Sequence, residues 1–157
     1  MLFLLFQVGL DRYALEASRV VEVVPLLELE HLSQAPAGVV GIFNYRGQPV
    51  PAVDLSALTL GRPASEHLST RIIIVNHPDA RGQDHLLGII AEQATSIVRK
   101  ENRDFSDPAA PLGVPPYLGP VILDDQGIIQ RMDERHLLAD NVRDMLFSDT
   151  VRLNHEA

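Results

Sequence analysis

A chain of 157 residues has room for one domain, and surface scaling removes roughly 69% of its unfolded accessible area on folding, enough for a core without a metal or disulfide. Thirteen Lys and Arg against twenty-one Asp and Glu leave a formal charge of −8, and the arginines form no basic stripe, which argues against nucleic-acid binding. With no cysteine, disulfides, thiolate nucleophiles and cysteine-based metal sites are removed together, and a reducing cytoplasm fits.

The apolar start Met1 to Phe6 lacks a basic n-region and meets Gln7, Gly9, Asp11 and Arg12 too soon for a signal peptide, so Leu2 to Val8 reads as a strand. No stretch approaches the roughly 18 apolar residues of a membrane span, so direct membrane insertion is not expected. Gly9-Leu10-Asp11-Arg12 closes a hairpin onto Arg12 to Glu16, and Val20 to Val24 follows. Alternation in that third strand puts Val21 and Val23 on one side and Val20, Glu22 and Val24 on the other. Val39 to Tyr45 and Val50 to Asp54 flank the turn Arg46-Gly47-Gln48-Pro49, and Pro49 and Pro51, lacking amide donors, favour a strand start or an edge. Asp54 reads as an internal partner or as a cap for a turn at Ser56.

Further strands are predicted at Arg71 to Val75, His85 to Ala91, Ala94 to Val98, Leu118 to Leu123 and Ile128 to Met132, the last two joined by Asp124-Asp125-Gln126-Gly127. Glu101 to Pro116 carries Asp104, Asp107, Pro108, Pro111, Pro115 and Pro116 and reads as a surface loop, long for a compact domain. At the end Asp133 caps a helix, Glu134 suits its positive end, and Leu138, Val142, Met145 and Leu146 form its stripe. The domain is placed at residues 1–149, with 150–157 a frayed tail. About ten brief strands predict an all-β fold, and two clusters of five are compatible with the pattern.

Familiar chemistry is hard to find. His31, His67, His77, His85, His136 and His155 include no H-E-x-x-H spacing, so no metal is expected. No serine sits in a G-x-S-x-G elbow and no glycine-rich phosphate cradle occurs, so neither catalytic residues nor a cofactor is assigned. Asp124 and Asp125 belong to a turn, where carboxylates bond local backbone. A spatially assembled active site is invisible to such spacing, so a small enzyme with a nonlocal site stays open as an alternative.

The strongest binding signal lies at residues 41 to 55, a polar turn between two apolar strands. Arg46 presents a guanidinium fork suited to a carboxylate or carbonyl, Asn44 locks the turn and Gly47 permits its geometry. The competing reading is an arginine that only ties its own domain together. Val20, Glu22 and Val23 form a mixed face available to a partner, against plain core packing for the valines.

The segments Phe6 to Leu15, Val20-Val21-Glu22-Val23, Asn44-Tyr45-Arg46-Gly47 and Pro51-Ala52-Val53-Asp54-Leu55 resemble the motifs of the CheW family of chemotaxis scaffolding proteins. Gly88 to Ala94, Tyr117-Leu118-Gly119 and Asp133 to Leu138 resemble its later elements more loosely. The resemblance implies two packed five-stranded β-barrels around a shared apolar centre, to which the residue pattern adds the C-terminal helix. It also implies a non-catalytic adaptor between the cytoplasmic tip of a methyl-accepting chemotaxis-type receptor and the regulatory domain of a CheA-type histidine kinase, cytoplasmic and recruited to membrane receptor clusters. The resemblance implies that Val20, Glu22, Val23, Arg46 and Ala94 border the receptor-binding groove, and Asn44, from the chemistry of its own turn, completes the expected partner-binding residues. Glu92 in place of the family's Asp, Ala94 in place of its Val, and the polar Gln130-Arg131-Met132 depart from its pattern. An adaptor serving a specialised non-motility pathway is the alternative within the family.

Overall fold

Residues 1–36, 38–107 and 115–147 are described by the structure, a computed structural model of the chain. Among the described residues nine strands form in order: β1 Leu2–Val8, β2 Asp11–Glu16, β3 Val20–Pro25, β4 Val39–Tyr45, β5 Gln48–Asp54, β6 Arg71–Pro78, β7 Asp84–Arg99, β8 Leu118–Asp124 and β9 Gly127–Met132. Apolar alternation dictates their faces. Along β6, Ile73 and Val75 enter one core cluster while Ile72 and Ile74 enter another, so both faces of the strand are buried.

The two strands predicted at 85–91 and 94–98 are one 16-residue strand, β7. Glu92-Gln93 imitates a turn in the sequence, yet the chain passes through with Gln93 at φ 52° and changes partners. Up to Ala91 β7 pairs with β6 and, in parallel, with β5; Glu92 and then Ser96 to Arg99 pair with β1. The shared strand therefore yields two five-stranded groups, β3-β6-β7-β5-β4 and β7-β1-β2-β9-β8.

The all-β fold of two packed five-stranded units is as expected, but the strand pairing does not close either unit into a barrel among the described residues. Among the described residues, β3 and β4 are the edges of the first group, and β7 and β8 those of the second. Connecting segments take edge hydrogen bonds that a ring-closing strand would have made: Glu30 pairs with Ile42 on β4, and Ser106 with Val121 on β8. The apolar centre is shared as the fold expectation required, with Phe6, Leu15, Ile73, Ile89, Ala91, Ala94 and Leu146 in one cluster between the groups. Smaller clusters fill each group, around Phe43 and Ile72 in the first and around Phe3 and Ile129 in the second.

Helix α1, Leu55–Leu60, is absent from the sequence reading. Asp54 caps it as the local chemistry suggested: Oδ1 accepts from the Ser56 and Ala57 amides at 2.9 and 3.3 Å, and Oδ2 from Ala64 at 2.9 Å. At the other end Asp133 caps only the 3-10 turn Glu134–His136, accepting from the Arg135 amide at 3.0 Å. Among the described residues helix α2 covers 140–147, starting later than predicted. Leu138 precedes it, so the helical phase puts Val142, Leu146 and Phe147 inward and leaves Met145 46% exposed, off the expected stripe. The predicted boundary at residue 149, the tail, and Pro108 and Pro111 of the long loop lie outside the described residues.

Candidate functional site

The turn between β4 and β5 has two central residues, Arg46 at φ 52° and Gly47 at φ 83°, between the paired Tyr45 and Gln48. Both positive angles match the twist of the flanking strands, as in a type I′ hairpin. Asn44 Oδ1 accepts from the Gly47 amide at 2.7 Å and holds the turn shut, the role its sequence position suggested. Arg46, although it carries a Cβ, takes a conformation that costs about 1–2 kcal/mol.

That geometry sends the guanidinium over the Tyr45 ring, 5.2 Å from its centroid, and lets Nη2 donate to Glu22 Oε1 at 2.7 Å. Glu22 lies on edge strand β3 and Arg46 at the end of edge strand β4, so the ion pair spans the mouth that backbone pairing leaves open. With Arg46 74% and Glu22 34% exposed, such a pair adds only about 0–1 kcal/mol to stability. Its larger effect is orientation: among the described residues the remaining Arg46 donors meet no further acceptor.

Val20 and Val23 stand beside this pair but lean inward. A bulge between Val20 and Glu22 shifts the register, so Val20 opposite Val75 and Val23 opposite Ile73 both pack on the central cluster. This corrects the simple alternation, which put Val20 with Glu22 and Val24; the bulge leaves Val21 45% exposed instead. Ala94 is corrected more sharply. It is 3% exposed and packs in the central cluster, and its amide donates to Ser69 O at 3.2 Å, directly after the positive φ of Gln93. The structure thus brings Glu22, Asn44 and Arg46 together, sets Val20 and Val23 half-buried behind them, and removes Ala94 from the surface.

Beside the turn lies a groove of about 410 Å³ lined by Glu28, Glu30, Ile42, Phe43, Asn44 and Pro49. The sequence reading missed Glu28 and Glu30. The Glu30–Ile42 bridge and the packing of Leu26 and Leu29 bring them there, and the local hint was Gly41, where a Cβ would stand 2.5 Å from the Glu30 carbonyl oxygen. A second concavity, of about 310 Å³, lies by the Arg19–Glu134 pair. There Arg19 Nη1 donates at 2.6 Å to the buried Glu134, tying the segment before β3 to the turn after β9.

Among the described residues, no group of three or more His, Cys, Asp or Glu converges as a metal site would require. His85 Nε2 lies 2.9 Å from Asp79 Oδ2, the spacing of a base and its orienting carboxylate, and this hydrogen bond holds the Asp79 carboxyl below its usual range. Phe147, however, stacks on that imidazole with centroids 4.4 Å apart and an 11° interplanar angle. A shallow groove of mixed polarity beside an oriented guanidinium is chemistry for recognising another surface.

The CheW-like domain family matches residues 2–142. The chain belongs to this family. Similar curated proteins are the chemotaxis protein CheW of Helicobacter pylori, 26% identical over 103 residues, and that of Rhizobium meliloti, 30% identical over 100 residues. The matches cover 66% and 64% of this chain and 59% and 61% of those proteins, so the chain spans about three fifths of the relatives' length. Among solved structures, the scaffolding protein TtCheW from Thermoanaerobacter tengcongensis is similar with a TM-score of 0.78, 22% identity and 92% coverage of each chain. The CheW-like fold accounts for the paired groups of strands around one centre. Among the described residues no helix is long and apolar enough to cross a membrane.

Proposed function

We propose that this CheW-like chain is a non-catalytic adaptor that joins the cytoplasmic tip of a methyl-accepting chemotaxis-type receptor to the regulatory domain of a CheA-type histidine kinase. The proposed place of action is the cytoplasmic face of membrane receptor clusters. The observation that carries the reading is the Glu22–Arg46 pair spanning the open mouth of the first sheet, next to a mixed groove. Glu22 fixes the guanidinium, Asn44 fixes the turn that bears it, and the unshared N–H donors face outward toward a partner's carbonyl or carboxylate. Val20 and Val23 support the rim from below and contribute limited contact area. Bridging of this kind makes and breaks no covalent bond; it raises the effective concentration of kinase at the receptor.

Arg46→Ala is expected to weaken binding of a receptor-tip hairpin or of the kinase regulatory domain by roughly tenfold or more, the size of a central interface arginine. The fold should lose no more than about 1 kcal/mol. Calorimetric titration with each partner beside chemical denaturation checks both numbers. Unchanged affinity for both partners would remove Arg46 from the interface.

A further inference from the structure

His77 on β6 and His85 on β7 are directly opposed across an antiparallel ladder, and Phe147 of α2 covers both rings. The His85 ring lies nearly parallel to Phe147, whereas the His77 centroid is 5.6 Å away at 51°. We propose that this triad makes α2 a pH-sensitive clasp, in which a proton arriving on His77 expels Phe147 and releases the helix from the β6–β7 hairpin. The inference goes beyond the adaptor reading and does not depend on it.

Hydrogen-bond chemistry gives the two histidines opposite capacities. His77 is fully buried, and its Nδ1 lies 3.0 Å from the Pro78 carbonyl oxygen. A carbonyl only accepts, so Nδ1 carries the proton and Nε2 presents a lone pair. That Nε2 is shielded from solvent and has no partner among the described residues. A second proton would place there an N–H without an acceptor, and a charge inside an apolar site. His85 already has Asp79 to receive a proton donated from its Nε2, and Asp79 is itself held by the Arg81 and Gln83 amides at 2.8 and 3.0 Å.

The charges around His77 come from every neighbouring element. Arg143 of α2 and His85 of β7 oppose a positive imidazole, while Asp133, before the 3-10 turn, favours one. Arg135 and His136 of that turn and Asp140 of α2 line the adjoining groove with Pro78 and Arg143. Burial outweighs the rest and pushes His77 below its ordinary value of 6.5. The sign follows: the released state, with His77 in water, binds more protons than the docked state. Docking is therefore at full strength above about pH 6.5 and weakens as the pH falls below it, with a limiting slope of about tenfold per pH unit.

Amide hydrogen exchange on the full chain between pH 8 and 5, corrected for intrinsic rates, tests the clasp. Residues 140–147 should lose protection toward pH 5 with that limiting slope, while Ile72 to Val75 stay protected. The midpoint should coincide with the His77 ring titration followed by NMR. His77→Gln, which cannot titrate, should abolish the dependence, and His85→Gln should retain it. If His77→Gln does not fold, the coincidence of midpoints in the unaltered chain decides the matter alone. Helix protection flat with pH, a transition that survives His77→Gln, midpoints that disagree, or loss of protection in the β6 core in step with the helix would each overturn the proposal.

Discussion

Arg46 occupies a left-handed backbone position beside a glycine that occupies another, and only one of the two has the side chain the site needs. Strain and function can be separated here. Arg46→Gly should be more stable than Arg46→Ala by about 1 kcal/mol, since glycine removes the steric cost of the positive φ and both changes lose the Glu22 bond. Urea denaturation of the two variants checks this, and equal stability would mean the turn relaxes around a Cβ. The sequence makes this residue conspicuous because Asn44, Arg46 and Gly47 carry their turn chemistry locally. It does not reveal the partner: Glu22 lies 24 positions away, and their bond exists because two edge strands meet across an open mouth.

Strand β7 shows how one element serves two sheets. Gly88 lies where β7 passes between β6 and β5, and a Cβ there would stand 2.5 Å from Phe43 Cε1 and 2.8 Å from Ile72 Cγ2. Gly88→Ala should therefore cost about 1–3 kcal/mol by overpacking, with part of the loss recovered when Phe43→Leu is added. Thermal or denaturant unfolding of the single and double variants checks the coupling; additive losses would show that Phe43 is not the obstacle. Nothing in the apolar run from His85 to Ala91 announces this crowding, because both opposing atoms come from other strands. Helix α1 is a different kind of omission. Its cap Asp54 and its left-handed terminator Gly61 are both in plain sight, but six residues between them hold too little periodicity to outweigh a loop reading.

The two five-stranded groups share a strand and one central cluster drawn from both, so neither has a complete core of its own. Unfolding is accordingly expected as a single cooperative transition, with calorimetric and van't Hoff enthalpies equal. Differential scanning calorimetry above pH 7, where the α2 clasp is closed, is the measurement. Two separable transitions would show that the groups behave as independent domains. The same architecture explains why the adaptor reading belongs to the whole molecule: the rim around Arg46 is held in place by residues that pack against the other half of the chain.

The order and approximate bounds of the strands, the hairpin turns, the capping role of Asp54 and the lock at Asn44 follow from the sequence, because each depends on residues within a few positions of one another. The continuity of β7, the bulge that redirects Val20, the burial of Ala94 and the open mouth bridged by Glu22 and Arg46 were decided only by tertiary structure. Each depends on which distant strand supplies the neighbouring atoms, and neither local propensity nor period-2 alternation carries that information.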